Sequence, residues 1–379
     1  MIESVAIERA LLGQIKSWLY EGKVLIIYGA RQVGKTTLSK RILEDYPGST
    51  YLNCEHNIVK ELLESGNLER FRTNIGNSSL VVLDEAQKIK DIGSILKLIH
   101  DTFPDIQILA TGSSSFELSS ELSEPLTGRN VKFTLFPFSL SELKPYATPF
   151  QLDEKLEEFM RYGMYPEIIQ RPENQKTVLL DQMAGDYLFK DVLKFENLKR
   201  PELLLNLLKA LALQLGNEVS FRELSGLLKV TTETIQRYIE LLEKSFVLFR
   251  LPSYSRNLRN ELARSHKFYF YDLGIRNSLL HNYLPLSSRT DTGSLWENFC
   301  LIERMKKNQK DMRLVSMYFW RTYQQKEIDL IEESEGKLKA FEFKWNPNAR
   351  VKMPAEFLKA YNNSSFEIVH RENYQSFML

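Results

Sequence analysis

One stretch constrains this chain more than any other: KVLIIYGARQVGKTTLSKRIL, beginning at Lys23. Val24 to Tyr28 is an apolar, β-branched run that predicts a buried strand. Gly29, Ala30, Arg31, Gln32, Val33, Gly34, Lys35 and Thr36 then fit G-x-x-x-x-G-K-[ST], and Leu38 to Leu43 continue as a helix. Glycines at both ends of the turn let backbone N–H groups converge, and the start of a helix adds positive potential. Such a turn is a cradle for phosphate groups. Lys35 reaches the outer phosphates of a nucleoside triphosphate such as ATP, the Thr36 hydroxyl can ligate Mg²⁺, and Thr37 follows within the same first helical turn.

The strand pattern downstream agrees with that start. SSLVVLDEAQ places an apolar strand before Asp84 and Glu85. Asp84, at the strand's carboxyl end, is expected to hold the Mg²⁺ shell, and Glu85 to polarise the attacking water. IQILATGSSS ends in Thr111 and Ser113, polar groups able to touch the γ-phosphate or the water, or simply turn residues. Strands are expected at 24–28, 50–53, 80–84, 106–110 and 131–136 with helices between them. That alternation predicts an α/β domain with a parallel sheet, whose ligands sit beyond the carboxyl ends of the strands.

These motifs resemble the AAA-type ATPases of archaea and bacteria. The resemblance implies a sensor residue after the fourth strand, where Thr111 stands. It also implies an arginine before the fifth, as Arg129 in LTGRNVKFTLF. Arg129 would then be an arginine finger acting in trans, which requires a homo-oligomer; the plain alternative is a surface arginine.

The bulk numbers narrow the partners. The 379 residues are 43% hydrophobic and 26% charged with a net charge of +1, so any DNA-binding surface must be a local patch. Cys54 and Cys300 cannot make a disulfide framework, and the five histidines show no metal-ligand spacing. The charged amphipathic N-terminus does not read as a secretory signal. The run LLLNLLKALALQLG is too short and polar to span a bilayer. A cytoplasmic protein with no membrane partner is the expectation.

After the first sheet, Pro137, Pro145 and Pro149 mark a break, and helices over 153–162 and 174–195 suggest a helical lid. VSFRELSGLLKVTTETIQRYIELLEK then reads as two helices across a short turn, with Ile235, Ile239 and Leu242 facing the core. FVLFRL and KFYFYD follow as strands, the layout of a winged helix. Lys244, Arg250, Arg256, Arg259, Arg264 and Lys267 face a single acid, Glu261, and form a candidate phosphate-contacting patch. The alternatives are a solvated loop or a protein-binding module.

The C-terminal region turns on KAFEFKW, residues 339–345. Strand alternation puts Ala340, Glu342 and Lys344 on one face, so the stretch is either a half-exposed strand or an acid and a base over a metal. A helix carrying Glu297, a strand carrying Asp329 and this strand together are similar to the PD-(D/E)XK nuclease fold. By that resemblance Glu297, Asp329 and Glu342 would hold Mg²⁺ beside Lys344, with Glu303 as the alternative helical acid. Ile328 stands where a proline is common in that pattern.

The whole chain resembles a widespread prokaryotic family of ATPases that joins an AAA-type domain to a C-terminal region with winged-helix and nuclease-like parts. The implied division is an AAA-type P-loop domain at 1–140, a helical lid at 141–215, a winged helix at 216–285 and a restriction-endonuclease-like domain at 286–379. Three outcomes stay open for the C-terminal part: cleavage of DNA, binding of DNA, or docking of a protein partner under ATP control.

Overall fold

Residues that are apolar at every position of a strand need cover on both faces, and β1 (Val24–Tyr28), β3 (Leu80–Asp84) and β4 (Gln107–Gly112) find it: all of their positions are buried. In the computed structural model, which describes residues 6–112, 126–187, 200–254, 266–322, 326–351, 355–361 and 363–379, these strands form the middle of a five-stranded sheet. Its edges are β2 (Thr50–Asn53) and β5 (Asn130–Thr134), both only partly covered. The order is β2-β3-β4-β1-β5 and every pairing is parallel. β1, β2 and β3 lie where the sequence places them, while β4 is shifted to Gln107–Gly112 from 106–110 and β5 to Asn130–Thr134 from 131–136. Apolar side chains from the strands and the helices Leu68–Ile75 and Ile92–Thr102, among them Val81, Leu83, Phe71, Leu96 and Ile99, make one core.

This sheet belongs to a compact unit of residues 8–137 and 244–246; residues 1–7, 138–243 and 247–379 make a second. The second unit begins with helices. Thr148 and Gln151 form a capping box at the start of Pro149–Tyr162, and Pro201–Leu213 is a largely buried leucine-rich helix. Then come β6 (Glu218–Val219), the helices Phe221–Leu228 and Thr232–Lys244, β7 (Leu248–Pro252) and β8 (His266–Phe270). The three strands form an antiparallel sheet ordered β6-β8-β7. Ile235, Ile239 and Leu242 are buried, as the helical spacing predicts.

Past the helix Thr292–Lys310, β9 (Ser316–Arg321), β10 (Glu327–Ser334), β11 (Lys337–Phe343) and β12 (Ser364–Val369) form a mixed sheet ordered β12-β11-β10-β9. The β9–β10 and β10–β11 pairs are antiparallel, while β12 joins β11 in parallel. Strand β12 was not foreseen. β10 carries an irregularity against β9 between Ile328 and Ile331, and Asp329 falls inside it. Bulges of this kind re-aim a side chain. The face of β11 that carries Glu342 is not wet throughout: Leu338 and Ala340 on that face are buried in a core with Ile328, Ile331 and Phe357, and only its far end is polar.

Candidate functional site

The carboxyl ends of β1, β3 and β4 bring the first set of polar residues together. The turn after β1 is shaped by close approach: a Cβ on Gly29 would lie 2.2 Å from the Leu135 carbonyl oxygen. Gly34, with φ of 96°, is left-handed, as is Gln32 at 61°. Lys35 opens the helix Lys35–Glu44 and is buried. Its Nζ donates to the Gly29 and Ala30 carbonyls at 2.9 and 2.7 Å, which holds the ammonium within the turn. Thr37 is exposed on the same first turn.

Asp84 is buried at the end of β3 and accepts three hydroxyl bonds. Thr36 Oγ1 donates to Oδ2 at 2.8 Å, Tyr51 Oη to Oδ2 at 2.6 Å and Thr111 Oγ1 to Oδ1 at 2.5 Å. Thr111 also accepts from the Glu85 N–H at 3.1 Å, so one side chain fixes both acids. Glu85 adopts φ of 55°, a strained choice for a non-glycine residue. Its Oε2 accepts from Gln87 Nε2 at 2.5 Å. Burial, then the bond to Asp84, raises the Tyr51 phenol above its ordinary value, so it stays a donor. Burial and the charges of Asp84 and Glu85 push the Cys54 thiol up to about 12, which makes it unreactive. The Thr36 hydroxyl and Asp84 are hard oxygen donors in contact with one another, and a Mg²⁺ that takes its other oxygens from phosphate and water fits such a pair.

Three residues here escaped the sequence. Tyr51 reaches Asp84 only because β2 pairs beside β3, with Asn53 level with Asp84. Gln87 steadies Glu85 from the following turn. Arg9 donates to the Val33 carbonyl at 2.6 Å and the Phe136 carbonyl at 2.5 Å, and so braces the back of the phosphate turn. An arginine just before the first helix carries no local signal of that task.

Arg129 lies elsewhere. It precedes β5 at the amino edge of the sheet, where Asn130 pairs with Val24, whereas the phosphate turn follows Tyr28 at the carboxyl edge. Its Nε donates to Asp101 at 2.9 Å. Ser113 lies outside the described residues, as do Arg256, Arg259, Glu261 and Arg264. Two other members of the expected basic patch are not free for phosphate: Arg250 pairs with Glu243 at 2.9 Å, and Lys267 is buried in an acidic cluster.

That cluster contains the C-terminal candidates. The register Leu330 with Phe341 sets Asp329 level with Glu342 across β10 and β11. Asp329 Oδ2 accepts from the Phe343 N–H at 2.7 Å, and Lys344 Nζ donates to Glu342 Oε1 at 2.7 Å. Burial, then the charges of Glu297 and Glu342, holds the Asp329 carboxyl well above the usual carboxylate range. Burial also raises Glu342, against the pull of Lys344. Glu297 is the helical acid of this group. Glu303 is engaged elsewhere, accepting from the Leu140 N–H and from Lys306 Nζ, both at 2.7 Å. The sequence therefore names a real cluster, but the donors do not suit a metal. Glu297 Oε1 accepts from Lys267 Nζ at 3.0 Å and from the Tyr269 hydroxyl. Among the described residues no group of three or more His, Cys, Asp or Glu side chains is placed to hold a metal ion. No described helix is long and apolar enough to cross a membrane.

Comparison with known proteins bears on both regions. Residues 21–144 match a family described as an AAA domain. Residues 153–286 and 292–376 match two families described as domains of unknown function, DUF8612 and DUF4143. An uncharacterized protein of Mycobacterium tuberculosis is 27% identical over 347 residues, 90% of this chain and 75% of the relative. An uncharacterized protein of Methanocaldococcus jannaschii is 28% identical over 312 residues, 75% of this chain and 67% of the relative. Among solved structures, the Walker-type ATPase of Pyrococcus abyssi shares the fold with a TM-score of 0.52 at 15% identity, covering 74% of this chain and 100% of that one. Similar chains thus occur in bacteria and archaea.

Proposed function

We propose, from the AAA-type P-loop ATPase domain at residues 21–144, that this chain hydrolyses ATP with Mg²⁺ and uses the turnover to govern a DNA-contacting C-terminal half. The observation that carries the ATPase reading is the clamp of Thr36 and Thr111 on the two oxygens of Asp84, beside Glu85 and directly after the phosphate turn. Bound Mg²⁺ would neutralise phosphate charge. The chain's own residues do the rest. The amides of residues 29–36 and the Lys35 ammonium bind and orient the phosphates. Thr36 and Asp84 position the ion's oxygen shell. Glu85, held by Gln87 and by Thr111, orients a water and takes its proton at the carboxylate.

For the second half, the order helix, strand, two helices, strand, strand over 201–270, with sheet order β6-β8-β7, supports reading a winged helix. The mixed sheet that sets Asp329, Glu342 and Lys344 near Glu297 supports a PD-(D/E)XK-like module. Cleavage is not part of this reading, because Lys267 and Tyr269 both bond Oε1 of Glu297, the oxygen donor the helix would offer a metal. This favours a module that binds DNA, or a protein partner, under the control of ATP.

The test is ATP turnover by purified chain with Mg²⁺, with and without duplex, branched and single-stranded DNA. Lys35→Ala is expected to lose turnover by about 100-fold or more, since the phosphates lose their cation. Undiminished turnover in Lys35→Ala removes the ATPase reading. DNA that neither binds nor changes the rate removes the DNA reading and leaves a protein-docking switch.

A further inference from the structure

Lys267 is the most unusual charge in the second unit. It sits on β8 between aromatic residues in HKFYF and is only 1% exposed. A lysine is almost never fully buried unless it is paired. Here its Nζ donates to Glu297 Oε1 at 3.0 Å and also pairs with Glu327. Its ammonium stands 5.4 Å from the centroid of the Phe319 ring. Tyr269, two residues on and so on the same strand face, donates to the same Glu297 oxygen. Arg321 completes the outer side, 3.7 Å from Glu327 and 3.2 Å from Glu218.

Four carboxylates therefore gather here, from Glu297, Glu327, Asp329 and Glu342, with the ammoniums of Lys267 and Lys344 among them. A hard divalent ion collects six or more oxygens and needs their lone pairs bare. Lys267 and Tyr269 both engage Oε1 of Glu297, Lys344 engages Oε1 of Glu342 and the Phe343 amide engages Oδ2 of Asp329, so one oxygen of each of these acids already serves a protein donor. The lysine arrives from β8, outside the segments that carry the acids, and its backbone is locked on both sides by pairing with Glu218 and Leu251.

We propose that Lys267 is the resident cation of this cluster, a tethered ammonium that serves the carboxylates in place of a divalent metal ion. The C-terminal half then keeps its acids neutralised and buried without metal, and losing Lys267 converts the same carboxylates into a divalent-cation site. The inference is independent of ATP turnover. It rests on the nuclease-like reading only in naming the kind of ion that Lys267 replaces.

The experiment uses the full chain without nucleotide, in an Asp84→Asn background that silences the P-loop. Mn²⁺ uptake is followed by the loss of its free electron-paramagnetic-resonance signal, and melting is measured in EDTA and in Mn²⁺. With Lys267 intact, no saturable uptake and no metal-dependent shift in melting are expected. Lys267→Met should melt lower in EDTA, bind Mn²⁺ saturably and recover part of the lost melting temperature. Adding Asp329→Asn should abolish that recovery. Saturable uptake by the chain with Lys267 intact, removed by Asp329→Asn, overturns the proposal. So does a folded Lys267→Met that takes up no Mn²⁺. If Lys267→Met does not fold, Lys267→Arg keeps the charge, and saturable Mn²⁺ uptake in that variant likewise overturns it. A DNA-binding failure would leave this result untouched, so the two readings fail separately.

Discussion

Glu85 accepts a backbone strain that most residues avoid, with φ of 55°, and its carboxylate is steadied by Gln87 while its amide is steadied by Thr111. A group held so is suited to orienting a water, and the consequence is specific. Glu85→Gln keeps the shape but cannot take a proton. ATP binding, measured by fluorescence of a labelled nucleotide, should stay near the wild-type level while turnover falls by about 100-fold or more. Equal turnover in the variant would take Glu85 out of its role. A second acid tests burial rather than catalysis. Asp272 lies inside the second unit, accepting from the Met164, Gly274 and Ile275 amides. Burial raises its pKa from 3.8 to about 6, against the pull of those amides and of Lys306. The folded state thus keeps a proton that the unfolded chain has lost. The resulting stabilisation is fully present below pH 3.8 and disappears as pH rises through about 6. Over that window it amounts to about 3 kcal/mol. Asp272→Asn cannot titrate, so the stability of wild type relative to this variant should fall between about pH 4 and pH 7 by that order. Denaturant unfolding at both pH values reads it, and a difference that stays constant with pH would contradict the assignment.

At the scale of elements, the helix Thr292–Lys310 is tied to β10 by a buried pair. Arg304 Nε and Nη2 donate to the two oxygens of Glu332 at 2.7 and 2.6 Å, and Asn308 adds a bond to the same carboxylate at 2.7 Å. Arg304 Nη1 also donates to the Phe377 carbonyl at 2.9 Å. Removing one partner strands the other, so Arg304→Met should cost about 3–5 kcal/mol. The double variant Arg304→Met/Glu332→Leu should recover much of that loss, because no buried charge is left unpaired. Additive losses in denaturant unfolding would show that the pair does not act as a unit. No local pattern announces this pair, and the same holds for Lys267. Its strand looks like a basic wing edge in sequence, and the acids that compensate the buried ammonium, Glu297 and Glu327, lie thirty and sixty residues on. What could be read was what local chemistry determines. β1 and β3 are legible because burial on both faces demands unbroken apolar runs, and the phosphate turn because its glycines and lysine are consecutive. Asp84 and Glu85 were legible as acids at a strand end, and Asp329 with Glu342 and Lys344 as types of residue on neighbouring strands. β12 was not, since SSFEIV alternates weakly and its place is set by parallel pairing with β11.

For the whole molecule, the position of Arg129 decides whether one chain suffices. The phosphate turn leaves the carboxyl end of β1, and Arg129 enters the amino end of β5, a parallel neighbour whose Thr134 is level with Tyr28. The five-residue strand that separates those edges spans about 17 Å. A guanidinium held by Asp101 at that far edge does not serve the nucleotide of its own chain, so a catalytic role requires a second copy. The net charge of +1 sets little electrostatic repulsion against such self-association. Arg129→Ala should then retain ATP binding and lose turnover by about tenfold or more, a modest fraction of what an arginine finger supplies in related chemistry. The decisive arm is complementation. If Arg129 acts in trans, Lys35→Ala chains should not use ATP but should still present Arg129, whereas Arg129→Ala chains should bind ATP but lack that guanidinium. Each alone should be nearly inactive, and mixtures should regain turnover with a maximum at intermediate ratios. Turnover per wild-type chain should also rise with protein concentration. If Arg129→Ala hydrolyses ATP at the wild-type rate, or the mixtures stay at the sum of their parts, Arg129 is a surface arginine paired with Asp101 and each chain hydrolyses ATP alone.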